Sequence, residues 1–403
     1  MTTTKRVAWG AALALLAGGA QAQISDDVVK IGVLNDQSGL YADLTGQGSV
    51  IAARMAVADF GGTVLGKKIE VIFGDHQNKP DVGSTIARRW IEQDKVDAIA
   101  DVPTSSVALA IQEVTKNAGK VFLISGAASS DLTGKACSPT GVHWTYDTWA
   151  LANGTGRASV AAGGDSWFFL TADYAFGHAL EKDTMDVVKA SGGKVLGAVR
   201  HPFPGTDFSS FLLQAQASKA KVIGLANAGG DTINSIKQAA EFGIVKGGQK
   251  LAGLLVFLND VHGLGLQVAQ GLMLTESFYW DLNDATREWT KKFTAQHKQH
   301  PNMIHAGVYG AVTHYLKAIQ AAGTDEGIKA VAKMKETPIN DFYTKNGRVR
   351  EDGRVIRDMY LFEVKAPADS KGPWDYYKTV RTIPAAEAFR PMDQGNCSFV
   401  KKS

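Results

Sequence analysis

Hydroxyls and small residues gather in two short turns of this 403-residue chain. Thr104-Ser105-Ser106 closes the apolar run Val96 to Ala100 and opens a segment of helical periodicity, Val107 to Asn117. A second apolar run, Val121 to Ile124, ends in Ser125-Gly126-Ala127-Ala128-Ser129-Ser130. Short apolar runs bounded by turn residues read as buried strands. Two strand ends then bring free backbone N–H groups and hydroxyls close together. Helix N-termini and such turns favour anions and polar ligand groups. In open α/β sheets, ligands bind beyond the carboxyl ends of the strands. The chemistry expected here is capture of a small molecule. Helix capping alone accounts for one hydroxyl per turn, not for several.

Other chemistries find no support in the residues. There is no GxSxG elbow and no phosphate loop. Asp75-His76 stands at a strand end without a nucleophile and reads as a polar surface or hinge pair. The nine histidines show no HxxxH or CxxC spacing, so no metal site and no cofactor are expected. The formal charge of +3 includes Lys5 and Arg6, which precede the apolar run Val7 to Ala17 and Gly18-Gly19-Ala20-Gln21-Ala22. That pattern is a secretory signal with its cut after Ala22. Its apolar run is too short to span a membrane comfortably. The mature chain, two positive charges poorer, is near neutral, which argues against nucleic-acid binding. In an oxidising compartment Cys137 and Cys397 read as one disulfide. It would pin the C-terminal tail beside the second hydroxyl turn.

These turns need elements to hold them, and the chain supplies a regular alternation. Val28 to Leu34, Lys68 to Phe73, Val96 to Ala100 and Val121 to Ile124 read as strands. Between them lie helices over Gly46 to Phe60, from Asp81 (as cap) to Gln93, and over Val107 to Asn117. After Trp144 a helical Ala/Gly-rich segment, Trp149 to Ala162, precedes a second series. Its strands are Ser166 to Thr171, Lys194 to Arg200, Val222 to Ala226 and Leu251 to Leu258. Gly271 to Tyr279 and Met359 to Lys365 read as later strands, with helices between them. The fold class is α/β, with two Rossmann-like lobes.

The order of these elements resembles the type I periplasmic solute-binding proteins of ABC transporters, in the leucine/isoleucine/valine-binding branch. The resemblance rests on Val29-Lys30-Ile31-Gly32-Val33-Leu34, Ser38-Gly39 and Ala56-Val57-Ala58-Asp59-Phe60. It is carried further by Thr104-Ser105-Ser106, Ser125-Gly126-Ala127-Ala128-Ser129, Tyr174-Ala175-Phe176-Gly177 and Thr206-Asp207-Phe208. It implies two lobes joined by three crossing strands, near Trp144, Ser277 and Arg348, with a ligand cleft between. The lobes would be 23–143 plus 278–348, and 144–277 plus 349–403. It also implies a non-enzymatic, monomeric periplasmic receptor that delivers its ligand to the membrane permease of an ABC importer. A sensory ligand-binding domain of the same fold is the alternative.

Position by position, the resemblance places Thr104, Ser105 and Ser106 in the pocket, with Ala127, Ala128 and Ser129 holding the ligand's carboxylate. On the second lobe it places Phe176, the loop Asn227 to Asp231, and the loop Asn259-Asp260. Amino-acid binders usually offer a tyrosine in the fourth loop; here Ala228 stands there. Tyr41 reads either as a cleft residue or as hinge packing. Trp144, Tyr146, Phe278, Tyr279 and Trp280 read equally as interlobe packing or ligand cage. Asp231 and Asp260 could pair with a polar ligand group or cap the helix that follows each. The expected ligand is a small carboxylate, aromatic or a keto acid, with branched-chain amino acids as the alternative.

Overall fold

The structure, a computed structural model, describes residues 24–400; the expected signal segment lies outside them. The first lobe is built on β1 (Val28–Asn35), β2 (Thr63–Val64), β3 (Lys67–Asp75), β4 (Ala98–Asp101), β5 (Val121–Ile124) and β6 (Gly141–His143), in the order β2-β3-β1-β4-β5-β6. All pairs are parallel except β2 with β3. β4 and β5 are buried along their whole length, as their unbroken apolar character demands of strands covered on both faces. One face carries the helices Gly46–Phe60 and Met303–Ala322. The other carries Pro80–Glu92 and Ser105–Ala118. The helix expected to be capped by Asp81 begins at Pro80, so Asp81 lies within its first turn and Lys79 is the cap. Proline suits a first helical position because its missing N–H would be unpaired there anyway.

The second lobe holds a parallel sheet of β7 (Ser166–Ala172), β8 (Lys194–His201), β9 (Val222–Ala226) and β10 (Lys250–Gly253), in the order β10-β9-β7-β8. Three elements follow in the chain: β11 (Met273–Glu276), the hairpin of β12 (Arg348–Val349) with β13 (Val355–Ile356), and β14 (Met359–Val364) with β15 (Tyr377–Ile383). β11, β14 and β15 form a small antiparallel sheet. β10 is shorter than the expected strand over Leu251 to Leu258. A helix starts at Leu258 instead, and Asp260 in its first turn accepts the Phe257 amide at 2.9 Å. The expected helix over Trp149 to Ala162 is a composite: α-helical at Thr148–Leu151 and Arg157–Ala161, with a π-helical turn at Ala152–Gly156 between.

The chain passes between lobes at Trp144 to Asp147 and again after β11. The hairpin stays with the first lobe: the His143 amide donates to Gly353 O at 2.8 Å, and Arg354 donates to the Tyr146 carbonyl at 2.8 Å. The third passage therefore falls at Arg357–Asp358, not at Arg348. After β15 the chain returns once more. Arg390 donates to the Ser130 carbonyl at 2.9 Å, and Cys397 bonds to Cys137. This end of the chain belongs with the first lobe, because its covalent and polar anchors are there.

Candidate functional site

The floor of the cleft is made by the end of β4. Asp101 and Val102 both take left-handed backbone angles, φ 78° and 54°, and turn the chain sharply into Pro103 and the helix at Ser105. The Asp101 carbonyl accepts the amides of Ser125 and Gly126, each at 3.4 Å. Ser105 Oγ accepts the Ser129 amide at 3.2 Å. The carbonyls of the facing turn are taken up from behind. Tyr146 OH donates to Gly126 O at 2.6 Å, and His143 Nε2 lies 2.7 Å from Ala127 O. The amides of Ala127 and Ala128 meet no acceptor among the described residues. They are the free donors of this turn.

The second wall comes from the start of the helix Ala175–Ala190. Gly177 permits it: a Cβ there would lie 2.0 Å from the carbonyl oxygen of Ala172. The helix can therefore begin hard against the end of β7 and carry Tyr174 and Phe176 over the cleft. Tyr174 stacks on Phe203, with ring centroids 4.0 Å apart and planes within 19°. Gly229, at φ 59° and ψ −134°, brings the next loop against Tyr41. The Tyr41 and Tyr174 hydroxyls meet 2.6 Å apart, one from each lobe.

Between the walls lies a small cavity of about 20 Å³. From the first lobe and the first passage come Tyr41, Leu44, Thr45, Pro103, Gly126, Ala128, Tyr146 and Ile304. The second lobe contributes Tyr174, Phe176, Ala228, Leu255 and Phe257. That is room for little more than a water molecule, so the walls must part to admit a ligand. None of these side chains is charged.

Of the expected residues, Tyr41, Ala128 and Phe176 line the cavity. Ala127 and Ser129 belong to the donor turn, and Ser105 braces it. Thr104 donates to Asn78 Oδ1 behind the helix start, and Ser106 makes no side-chain hydrogen bond among the described residues. Trp144 stands apart: it packs 5.4 Å from the His314 ring and under the Arg357 guanidinium at the interlobe passages. Asn227 is spent internally, donating to Ser235 Oγ at 3.0 Å and accepting from Thr232. Asp231 accepts the Gly205 amide at 3.0 Å, and Asp260 serves as the cap described above. Burial pushes both carboxyls up to about 7. Tyr146 and Tyr174 acquire a lining role that sequence alone left undecided or unassigned. Leu255 and Phe257 had a signal in their alternation, since residues two apart in an extended run share a face.

Tyr41→Phe is expected to weaken ligand binding by about 1 kcal/mol, roughly fivefold, because it leaves the Tyr174 hydroxyl unpaired in a buried place. Titration calorimetry checks this, and an unchanged affinity would show the cross-cleft bond to be irrelevant to the bound state.

The sequence model of the periplasmic binding protein family matches residues 28–373, and the chain belongs to that family. It is a solute-binding receptor of ABC transporters and not an enzyme. It is 55% identical to a periplasmic binding protein from Burkholderia mallei, covering 93% of this chain and 100% of that one, with a TM-score of 0.91. A branched-chain amino acid ABC transporter periplasmic ligand-binding protein from Burkholderia xenovorans is 40% identical, over 92% and 99% of the two chains, with a TM-score of 0.83. Leu/Ile/Val-binding protein homolog 6 of Brucella melitensis is 26% identical over 371 residues, 89% of this chain and 92% of its own.

Proposed function

We propose that this receptor delivers a small carboxylate with a flat apolar body, an aromatic acid or a keto acid, to the permease of its importer. The observation that carries this reading is the lining of the cavity. The free amide of Ala128, which lines the cavity, and that of Ala127 beside it suit a carboxylate, whose burial unpaired would be costly. Around them stand the rings of Tyr41 and Tyr146 on the same side and of Tyr174, Phe176 and Phe257 on the opposite wall, which suit a planar apolar body. No acidic side chain lines the cavity, so an α-ammonium would find no charged partner. Asp231 and Asp260, the candidates for that role, each hold a backbone amide, and Asp231, which keeps one oxygen without a partner among the described residues, does not itself line the cavity.

The second reading, a branched-chain amino acid, is favoured by the transporter class of the Burkholderia xenovorans relative. A thermal-shift screen with benzoate, 4-hydroxybenzoate, the keto acid of leucine and leucine itself separates the two. A ligand at one hundred times its Kd stabilises by about 2.7 kcal/mol, so the acid that fits gives a clear shift. A large shift with leucine and none with the deaminated acids overturns the proposal. Small-angle scattering should also show a smaller radius at saturation, because a ligand held by both walls favours the closed arrangement of the lobes.

A further inference from the structure

Directly beneath the donor turn lies a carboxyl group without a counterion. Asp101 is fully buried. Its Oδ2 accepts Asn35 Nδ2 at 3.0 Å, while Oδ1 has no hydrogen-bond partner among the described residues. A methyl group on Gly126 would come within 2.8 Å of that oxygen, so Asp101 lies directly behind Gly126 and Pro103, both of which line the cavity. The left-handed backbone of Asp101 and Val102 is an uncommon conformation, most of all for a β-branched residue. Such conformations persist where the surroundings over-determine them, and they cluster at ligand clamps. Here the result is specific: the Asp101 carbonyl takes two amides of the turn and leaves the next two free.

We propose that Asp101 is the positioning residue of the carboxylate site and that it carries a proton whenever the site is occupied, so that binding an anion takes up one proton from solution. This rests on the carboxylate reading above. An ionised Asp101 would set a like charge one backbone layer from the ligand's own, in a medium that screens it poorly. The groups that face Asp101 supply no positive charge. They are Asn35 from β1, Ser49 from the helix Gly46–Phe60, Pro103 and Gly126 from the two turns, and the Tyr146 phenol from the first passage. Asp260 and Glu276, which also act on Tyr146, are acidic. Burial raises the Asp101 carboxyl to about 6 in the unliganded chain, so it is mostly ionised at pH 7.5 and must be reprotonated on binding.

The sign follows from that. Well below pH 6 Asp101 is neutral with and without ligand, and the affinity profile flattens. Above pH 6 each pH unit weakens binding about tenfold, because one proton is bound along with the anion. Titration calorimetry with benzoate and with the keto acid of leucine, from pH 5.5 to 8.5 in buffers of different ionisation heat, reads both the slope and the proton. The expected result is uptake of one proton at pH 8 and affinity about 50-fold weaker there than at pH 6. Asp101→Asn keeps the shape, tolerates the left-handed backbone and cannot titrate. It should bind with a flat profile and at least tenfold more tightly than the parent at pH 8. Flat binding without proton uptake in the parent overturns the proposal, and so does an unchanged slope in Asp101→Asn. The proton count in the parent decides the matter even if the variant folds poorly. Failure of the carboxylate reading looks different: neither acid binds at any pH, and the two proposals fall together.

Discussion

Gly177→Ala is expected to lower stability by about 3 kcal/mol, roughly 4 °C in Tm for a chain of this length, and to cost most of the ligand affinity. The added methyl would sit 2.0 Å from Ala172 O and 2.9 Å from the carbonyl carbon. Both are backbone atoms at the end of β7, so neither can swing aside as a side chain would. The helix Ala175–Ala190 must lift or rotate, and Tyr174 and Phe176 leave the cavity with it. Gly263→Ala is the control. It lies in the helix Leu258–Leu264, and its Cβ would meet nothing nearer than Ile233 Cδ1 at 3.8 Å. There alanine should be neutral or stabilising by up to about 1 kcal/mol, the ordinary gain over glycine in a helix. Calorimetric melting and binding of both variants test the pair. Equal behaviour of the two would show that the tight start of the Ala175–Ala190 helix does not place the second wall.

The double variant C137S/C397S should lose about 5 kcal/mol if chain entropy governs, since the bond joins residues 260 apart and long loops lose most on cross-linking. Near the melting point that is roughly 6 °C. Binding should change far less, because Cys137 and Cys397 lie outside the cavity lining. The tail's other anchors, Arg390 to the Ser130 carbonyl and Arg350 to the Arg390 carbonyl at 2.9 Å, remain. Scanning calorimetry of the variant, and of the parent under reducing conditions, measures the loss. A melting temperature within a degree of the parent would mean that these polar anchors alone restrict the unfolded chain's gain.

The alternation of strands and helices was legible because fully buried parallel strands are continuous apolar runs. β15 escaped notice for the opposite reason. Lys378, Thr379 and Arg381 leave only its ends buried, so no apolar run or clean alternation marks it. The run from Leu251 to Leu258 looked like one strand because extended chain and strand share a side-chain period. Only the capping role of Asp260 reveals the helix start. The same ambiguity covers the acids near the cleft. An aspartate in the first turn of a helix reads the same whether it serves a backbone amide or a ligand, and only the bonds to Gly205 and Phe257 distinguish the two. The aromatic lining drew its members from distant segments, 41, 146, 174, 176 and 257, whose convergence depends on how the lobes close. Local sequence carries the donor turn, which is contiguous, and carries little of the opposite wall.

The return of the chain to the first lobe has a mechanical consequence. Force applied between residue 24 and residue 400 runs through the first lobe, crosses the Cys137–Cys397 bond and leaves by the tail. The second lobe lies inside the covalent ring and bears no load. Its 260-residue span, on the order of 900 Å when fully extended, stays hidden from such a pull until the bond is reduced. A stretched molecule would then lengthen in one regime when oxidised and in two when reduced.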